Sequence, residues 1–397
     1  MLVVNLATFI FITDICLNLP PLSLYIHIPW CIKKCPYCDF NSHAVKDDVP
    51  ESQYILALLQ DLAQDVALYG ITRPISNIFI GGGTPSLFSP EAINRLLEGV
   101  GHQLAFADDL ELTLEANPGT FESHKFAEFR AIGINRLSIG IQSFNDVLLT
   151  KLGRVHTAKE AVRAIEIAHQ AGFDNLNLDL MFGLPEATAS CSQKDLQAAV
   201  ALAPTHISFY QLTLEPNTYF HRVPPSLPDD DAIFIVQKAG QALLADKGYQ
   251  QYEISAYSQT GRQCKHNLNY WQFGDYLGIG AGAHGKITRK VPGHIFRTHK
   301  PKSPGQYLPG KHKNNDAAGS IAVADLPLEF VMNHLRLREG FSLAHYHSAT
   351  GLDPCTLEPA LSDCRAQGLI DYQHGHYRCS PKGWDFLDSV LQKFLPN

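Results

Sequence analysis

Three cysteines stand close together near the start of the chain, at Cys31, Cys35 and Cys38. A [4Fe-4S] cluster that only carries electrons is held by four thiolates, so three at this spacing indicate a cluster with one iron open to another ligand. Zinc is the alternative, because it accepts Cys and His ligands and His43 follows shortly after Cys38. The spacing favours a metal centre, and thiols that bind no metal are the remaining alternative.

Other candidates for binding a polar ligand follow further along the chain. They are Gly81-Gly82-Gly83-Thr84, Glu115, Gln142, Arg154 and Asp179. Taken singly, each has an ordinary structural explanation. A glycine run makes tight turns, Glu115 fits a helix cap, Asp179 fits a buried hydrogen-bonded carboxylate, and Arg154 fits a surface cation. Their significance therefore depends on whether the fold brings them together.

The elements that position these residues follow a strand-then-helix alternation between residues 24 and 214. Apolar runs alternate with segments in which apolar residues recur every three or four positions. The predicted strands are 24–28, 77–80, 110–115, 136–141, 175–181 and 206–214, and the predicted helices are 52–69, 90–100, 158–171 and 193–202. Such alternation is typical of a parallel sheet or barrel.

The candidate residues share one position relative to the predicted strands. The cysteines follow the first strand and the glycine run follows the second, while Glu115, Gln142 and Asp179 lie at or near the ends of the next three. In parallel barrels the functional residues lie where strands end and the following loops begin. We therefore expect one barrel mouth to gather them, which favours a functional role over the separate structural explanations.

Composition narrows the class of protein. The chain has 397 residues, of which 45% are hydrophobic and 18% charged, as expected for one large and one smaller domain. A net charge of -7 argues against non-specific binding to nucleic acids. Nine cysteines, an odd number with three at metal-ligand spacing, suit a reducing compartment better than a disulfide framework. We therefore expect a cytoplasmic protein with no nucleic-acid partner.

The first residues form an apolar stretch that ends at Asp14. An export signal is one interpretation, but no Lys or Arg precedes the stretch and no small-residue cleavage site follows it. The stretch is also too short to span a bilayer. We favour a non-native extension over residues 1–21, predict no integral membrane span, and leave peripheral membrane contact open.

The long motifs of the chain resemble a known family. The cysteine spacing is similar to that of the radical S-adenosylmethionine (SAM) superfamily. More closely, the chain resembles the oxygen-independent coproporphyrinogen oxidase family, from about Leu22 to its C-terminus. The segments that carry this resemblance are YIHIPWC at 25–31, GGGT at 81–84, EANP at 115–118, SIGIQSF at 138–144 and DLMFGLP at 179–185.

The resemblance implies a fold and a domain order. The implied fold class is α/β, a partial (β/α)6 TIM-type barrel followed by a small α+β domain of winged-helix-like character. The barrel core is expected over 22–250, and a segment with an HNxxYW motif and a glycine-rich stretch over 251–300. A linker is expected over 301–320 and the C-terminal domain over 321–397.

The resemblance also implies cofactors and the residues that hold them. Cys31, Cys35 and Cys38 would ligate a [4Fe-4S] cluster, and SAM would bind its open iron. The residues implied around SAM are Tyr25, Tyr37, Gly82, Gly83, Thr84, Glu115, Gln142, Arg154 and Asp179.

Side-chain chemistry suggests which part of SAM some of these residues contact. Glu115 suits the ammonium group, and Arg154 suits the carboxylate because a guanidinium binds it through two hydrogen bonds. Gln142 and Asp179 suit the ribose hydroxyls. These assignments are chemical expectations that build on the resemblance.

Two branches of the family differ just after the cysteines. The coproporphyrinogen III dehydrogenases extend the motif to CxxxCxxCxC, and the HemW-type haem chaperones form the other branch. Here the position of the fourth cysteine is occupied by Phe40. This difference favours the chaperone branch.

A second feature concerns haem. The HNxxYW segment begins at His266 and ends at Trp271, and it resembles the haem-binding signature of the chaperone branch. An imidazole is a natural axial ligand of haem iron, and aromatic side chains contact a porphyrin face. The alternative is a structural histidine beside a packed tryptophan. Within the family we interpret His266 as a haem ligand.

Three cysteines near the C-terminus, Cys355, Cys364 and Cys379, are too far apart in sequence for a metal site. We interpret them as buried free thiols. A helix over 326–338 and a small β-wing over 369–378 are predicted around them.

Two functions from different classes remain open. One is a haem chaperone that binds a [4Fe-4S] cluster, SAM and haem and delivers haem to acceptor haemoproteins. The other is an enzyme of porphyrin biosynthesis that decarboxylates coproporphyrinogen III by radical chemistry. Phe40 and His266 favour the first. An electron donor such as flavodoxin or ferredoxin is an expected partner in either case.

Overall fold

A long β-sheet organises the protein. The computed structural model describes residues 17–45, 48–119, 123–291, 293–308 and 319–395. Within these ranges the strands are β1 Leu22–Ile28, β2 Trp30–Cys31, β3 His43–Ala44, β4 Ile75–Gly82, β5 Phe106–Ala116, β6 Arg136–Gln142, β7 Leu176–Phe182, β8 His206–Gln211, β9 Gln250–Gln251, β10 Ala256–Ser258, β11 Asp275–Ile279, β12 His284–Arg289, β13 His294–His299, β14 Ile370–Gln373 and β15 His376–Cys379.

Helices connect the parallel strands. In the described ranges they are α1 Glu51–Tyr69, α2 Pro90–Gly101, α3 Phe126–Ala131, α4 Asp146–Lys151, α5 Ala158–Gln170, α6 Ala189–Ala201, α7 Tyr219–Arg222, α8 Asp230–Asp246, α9 Lys265–Trp271, α10 Pro304–Tyr307, α11 Leu326–His334, α12 Leu343–Thr350, α13 Ala360–Ala366, α14 Pro381–Asp385 and α15 Leu387–Leu391. No helix in this part of the chain combines the length and apolar character needed to cross a bilayer.

The strand order shows how the barrel is built. Eleven strands of the described residues form one sheet in the order β13-β12-β11-β1-β4-β5-β6-β7-β8-β10-β9. Strands β1 and β4 to β8 are parallel neighbours, and β11 also runs parallel to β1 on its other side. The six predicted strands and the four predicted helices are all present. The predicted α/β fold with a partial parallel barrel is therefore confirmed.

The parallel strands bury both faces, and the two faces differ in chemistry. In β1, Leu24 and Ile26 belong to the apolar core under the helices, whereas Ser23, Tyr25 and His27 point to the other side. Successive side chains of a strand alternate in this way. The second face carries buried polar residues along the neighbouring strands as well: Asn77, Glu111, Thr113, Arg136, Ser138, Asn177 and His206. The barrel interior is therefore polar.

The region 251–300 joins the main sheet. It contributes β10 to β13 and the helix α9, which contacts β1, β4, β11 and α11. Helix α9 carries the HNxxYW segment and lies near the amino ends of the parallel strands. It therefore forms the floor of the barrel, opposite the mouth predicted to hold the cysteines.

The C-terminal part has a second apolar core. Helices α11 to α15 and the hairpin β14–β15 surround buried side chains such as Phe330 and Trp384, in agreement with the predicted β-wing. Leu17 packs in the same core; residues 1–16 of the predicted extension lie outside the described ranges. Of the three distal cysteines, two are buried, but Cys355 is exposed, so its predicted burial is wrong. It lies in a short 3-10 helix, Pro354–Leu357, at the protein surface rather than in the core.

A buried cluster of charged and polar side chains links β11 to β12 near the floor helix. Asp275 is fully buried and accepts hydrogen bonds from the Lys286 ammonium at 3.0 Å and from the Thr288 amide and hydroxyl, both at 2.8 Å. Arg73 forms a further ion pair with the same carboxylate. Lys286 is itself buried, so its charge depends on Asp275 for compensation.

We expect Asp275→Ala to lower the free energy of unfolding by about 3 to 5 kcal/mol, because it leaves the buried Lys286 ammonium without a counter-ion. Chemical denaturation of the two proteins measures the difference. Asp109→Ala is the matched control, because the Asp109–Lys265 pair is exposed and its loss should leave stability unchanged. Equal stability of the two variants would contradict the assignment.

Candidate functional site

A cavity lies at the carboxyl ends of the parallel strands. It is lined by Cys31, Cys35, Cys38, Tyr37, Gly82, Gly83, Thr84, Glu115, Gln142, Arg154 and Asp179, together with Phe40, Asn117, Ser138 and Tyr210. The structure therefore brings together the three cysteines and all but one of the residues predicted around SAM. Tyr25 and His266 do not line it.

Cys31 ends β2, and Cys35 and Cys38 lie in the loop between β2 and β3. The loop is closed by the pairing of these short strands, in which Trp30 is opposite His43. Arg154 Nη1 lies 3.7 Å from Cys35 Sγ, and Ser42 Oγ lies 3.7 Å from Cys38 Sγ. All three thiols are half-buried and face the cavity. The side chains are thus accessible from the same space that the other candidates line.

The donor set fits a cluster better than a zinc ion. Zinc would draw three or four ligands to about 2.0 to 2.3 Å from one centre. No three His, Cys, Asp or Glu side chains of the described residues are gathered in that way. His43, the fourth ligand of the zinc alternative, is exposed and does not line the cavity. A [4Fe-4S] cluster instead distributes three thiolates over three iron atoms, so it does not need them gathered around one metal ion.

The glycine run packs between the cysteine loop and Glu115. The Gly83 amide donates to the Ile28 carbonyl and the Thr84 amide to the Trp30 carbonyl, both at 2.7 Å. Gly82 has φ of 115°, and a Cβ there would lie 2.5 Å from the His27 ring. The run therefore does make the tight turn of the structural explanation, and the turn also forms one wall of the cavity.

Two carboxyl groups face the cavity from β5 and β7, the strands on either side of β6. Glu115 Oε2 accepts a hydrogen bond from the Gly82 amide at 3.0 Å. Asp179 accepts hydrogen bonds from Asn177 at 2.8 Å and from the Ser138 hydroxyl at 3.2 Å. Burial, and then the charge of Asp179, raise the pKa of Glu115 to about 7. Burial also raises the pKa of Asp179. The pair is therefore prepared to ionise fully when a positively charged group enters.

Gln142 is held in an unusual backbone conformation. Its φ is 69°, in the left-handed region that residues other than glycine seldom adopt, and the pairing of β6 with β7 is irregular between Gly140 and Gln142. Its side-chain oxygen accepts a hydrogen bond from the Tyr210 hydroxyl at 2.8 Å. The irregularity turns the side chain into the cavity, and a strained residue at a cavity is a common mark of function.

Arg154 is fixed on one side of the cavity. Its Nη2 donates to Asn117 Oδ1 and to the Gly140 carbonyl, both at 2.7 Å. Asn117 in turn donates to the Thr84 hydroxyl at 2.9 Å. The guanidinium is therefore not a surface cation, and Asn117 connects it to the glycine run.

Sequence reasoning did not single out several of these residues, Asn117 and Tyr210 among them. Asn117 lies just beyond Glu115 at the end of β5, so its position after a strand was the available signal. Tyr210 lies one residue before the end of β8, where the same rule applies, although the predicted strand extends to residue 214. Asparagine and tyrosine have no residue chemistry that by itself indicates a binding site. Only their contacts identify these two residues as part of the cavity.

Tyr25 and His266 lie deeper, inside the barrel. The Tyr25 hydroxyl bonds to His27 Nδ1 at 2.9 Å, and its ring stacks on Phe79 and on His266. His266 is only 2% exposed, and its Nδ1 donates to Asn77 Oδ1 at 2.7 Å. Its Nε2 is buried without a hydrogen-bond partner, and burial lowers the pKa of the imidazole to about 3. His266 is thus neutral, with one nitrogen lone pair free.

A chain of hydrogen bonds runs through the interior from the mouth to the floor. It begins at Asp179, which is bonded to Asn177, and Asn177 Oδ1 accepts from His206 Nδ1 at 2.6 Å. His206 Nε2 accepts from the Tyr252 hydroxyl at 2.8 Å, and that oxygen accepts from the Cys264 amide at 3.3 Å. Cys264 directly precedes α9. The cavity and the HNxxYW helix therefore belong to one polar network.

Comparisons with known proteins agree with this geometry. Residues 25–197 match the model of the radical SAM superfamily, and residues 321–386 match that of the HemN C-terminal domain. The chain is 48% identical to the heme chaperone HemW of Escherichia coli, over 95% of this chain and 99% of that protein. It is 49% identical to HemW of Haemophilus influenzae, with the same coverage.

A more distant relative and one solved structure complete the comparison. The mitochondrial radical S-adenosyl methionine domain-containing protein 1 of Mus musculus is 34% identical, over 94% of this chain and 87% of that protein. The structure of the coproporphyrinogen III oxidase HemN of E. coli superimposes with a TM-score of 0.78 at 22% identity, over 95% of this chain and 90% of that one. At that identity the match establishes the fold.

We expect Glu115→Gln to stabilise the protein without added ligands at pH 8, by up to about 3 kcal/mol, and to have little effect at pH 5. The folded state holds the Glu115 pKa above its ordinary value, so the folded state binds a proton that the unfolded state releases. The resulting loss in the free energy of unfolding of the wild type grows as pH rises from about 5 to 7 and is complete above that. Thermal denaturation across this range measures it.

The matched control for this experiment is Glu128→Gln, because Glu128 is exposed on α3 and lies outside the cavity. Its effect on stability should be the same at both pH values. If Glu115→Gln behaved like Glu128→Gln, the raised pKa of Glu115 would be wrong.

Proposed function

This chain belongs to the HemW family of radical SAM proteins, and from that premise we propose that it is a haem chaperone that binds a [4Fe-4S] cluster, SAM and haem. Its task would be to deliver haem to acceptor haemoproteins. The observation that carries the proposal is the similarity to HemW relatives over almost the whole length of both proteins. Phe40, which lines the cavity where a dehydrogenase would have its fourth cysteine, supports it.

The residues at the barrel mouth fit the cluster and SAM. Cys31, Cys35 and Cys38 would hold three irons, and the cavity beside them offers both charges that a zwitterionic amino acid requires. Arg154 would bind the carboxylate and Glu115 the ammonium group. When bound, the cluster and SAM supply one-electron chemistry. The protein itself positions the ligand and limits the access of water.

The charge state of the two carboxyl groups supports a cationic ligand. SAM brings an ammonium and a sulfonium, and the carboxyl groups of Glu115 and Asp179 have raised pKa values in its absence. A positive ligand would favour their ionised forms, and binding would therefore release protons near neutral pH. Asp179 and Gln142 remain our candidates for the ribose hydroxyls.

His266 is the proposed haem ligand within the HNxxYW segment. An axial ligand needs one ring nitrogen free while a hydrogen bond to the other fixes the ring. The Asn77 contact provides the second condition and the unpartnered Nε2 the first. The ring is enclosed by Phe79, Tyr25 and Tyr270, so the floor helix has to move before haem can reach it.

Partners and location follow from the same proposal. We propose that the chaperone works in the cytoplasm, receives an electron from a small donor such as flavodoxin or ferredoxin, and passes haem to acceptor proteins. The donor would approach the mouth, where the half-buried cysteines lie closest to solvent. Catalysis of coproporphyrinogen III decarboxylation is the competing function and is tested below.

We expect Cys35→Ala to lose most of its iron and its visible iron–sulfur absorbance after anaerobic reconstitution, because two thiolates cannot hold the cluster securely. Iron and sulfide analysis with an absorption spectrum gives the result. Cys191→Ala serves as the control, since Cys191 is half-buried, lies outside the cavity and should be replaceable without loss of iron. Full iron content in Cys35→Ala, or zinc in place of iron, would contradict the cluster.

We expect the purified protein to bind haem and to produce no protoporphyrinogen from coproporphyrinogen III. Haem titration is followed by the Soret band, and decarboxylation by chromatography of the porphyrins after anaerobic incubation with SAM and a reductant. Transfer of bound haem to an apo-haemoprotein completes the test. Robust decarboxylation without haem binding would overturn the chaperone and support the enzyme.

A further inference from the structure

A second cavity lies at the opposite end of the barrel from the cysteines. Its volume is about 360 Å³, and it is bounded by Pro20 and Pro21, which precede β1, and by Phe273, which precedes β11. The other wall belongs to the C-terminal part of the chain, from the end of α11 to α12. The cavity thus lies between the barrel floor and the second apolar core, and none of the SAM candidates lines it.

The walls combine apolar surface with a polar rim. Phe273, Leu337 and Phe341 provide buried apolar side chains, while Asn18 and Ser342 provide polar groups. Ligand cavities of this kind have volumes of about 300 to 1,000 Å³ and are mainly apolar with a few polar groups. The measured volume is at the lower end of that range. A ligand larger than this volume would insert one side and keep the other side in water.

Three histidines line the cavity, His334, His345 and His376, and the rings of the first two are in contact. His334 is 1% exposed, and its Nδ1 donates to the Phe330 carbonyl at 3.1 Å. Its Nε2 therefore carries the lone pair, and this atom is buried without a hydrogen-bond partner. His345 is half-buried at the same wall, with its ring centroid 4.8 Å from that of His334 and the rings edge to face. A buried imidazole without a partner is costly unless a ligand uses it.

The arrangement does not suit a bare metal ion. A protein-only site needs three or four ligands around one centre, and no such group of His, Cys, Asp or Glu occurs in the described ranges. The rings of His334 and His345 contact each other directly, so a flat macrocycle has no room between them. One imidazole of the pair can serve a metal that brings its remaining ligands with it, as haem iron does.

The cavity is directly connected to the HNxxYW helix. Gln272 and Phe273, which line the cavity, follow Trp271 in the chain. The Phe273 ring packs edge to face on Phe330 at 5.6 Å, and Phe330 stacks on His334 at 3.9 Å. A movement of the floor helix therefore changes the cavity wall. His345 is half-buried at the cavity, whereas His266 lies inside the closed barrel.

We propose that this cavity is a haem-docking site in which one imidazole of the His334–His345 pair ligates the iron. The inference rests on the proposed function, since it assigns haem a place outside the barrel. Haem bound there contacts the end of the HNxxYW helix through Phe273 while its polar edge stays at the rim. The site is distinct from His266 and from the SAM cavity.

The test is a titration of the full-length protein with ferric haem, followed by the Soret band, in wild type and in His334→Ala/His345→Ala. We expect the double variant to lose one haem per chain or at least tenfold in affinity. The two single variants show which imidazole of the pair ligates the iron, and His376→Ala, which removes the third histidine of the cavity, should leave haem binding unchanged. His347→Ala is the matched control, because His347 lies on the same helix as His345 but bonds to the Leu352 carbonyl outside the cavity.

A second variant separates ligation from folding. Ala349→Trp fills the cavity and leaves both imidazoles in place, so it should weaken haem binding to the same degree. Thermal denaturation of each variant shows whether its fold is retained. Agreement between Ala349→Trp and the double variant supports the docking site.

The outcomes separate this inference from the proposed function. If wild type binds no haem, the chaperone proposal itself fails. The docking site is overturned if wild type, the double variant and Ala349→Trp all bind haem equally well and only His266→Ala loses it. In that case the chaperone proposal still stands. If His266→Ala retains haem that the double variant loses, the docking site is supported.

Discussion

The polar inner face of the barrel is the constraint on which the rest of the structure depends. Its strands bury side chains such as Asn177 and His206 with almost no exposure, and buried polar groups must find hydrogen-bond partners. The partners come from neighbouring strands and from the segment before α9, through Tyr252 and Cys264. The floor helix is therefore held by the same network that orients Asp179 at the mouth.

The network separates two regions of different chemistry. The mouth collects thiols, carboxyl groups and a guanidinium around a polar cavity, whereas the floor and its lower side are rich in aromatic rings and imidazoles. β1 spans seven residues between them, a distance of about 20 Å. In the proposed chaperone, SAM and haem therefore occupy opposite ends of one barrel. The hydrogen-bonded chain is the physical link through which one end can influence the other.

The mouth has the features of a site prepared for a charged ligand. Glu115 and Asp179 share one cavity with raised pKa values, Gln142 has a strained backbone, and Arg154 is fixed beside a cysteine. Each of these costs stability in the protein alone. Such costs are usual where a fold holds side chains in place for a ligand before it arrives.

The sequence by itself determined the order of the strands and helices, the position of the cysteines after the first strand, and the convergence of Glu115, Gln142 and Asp179 at one mouth. These features follow from local periodicity and from the rule that parallel strands end at the same edge. Only the tertiary structure decided which residues touch. Asn117 and Tyr210 joined the mouth through contacts with distant residues, and Tyr25 lay below it. His266 lay inside the barrel and His334 beside a second cavity, because burial depends on packing between segments far apart in the chain.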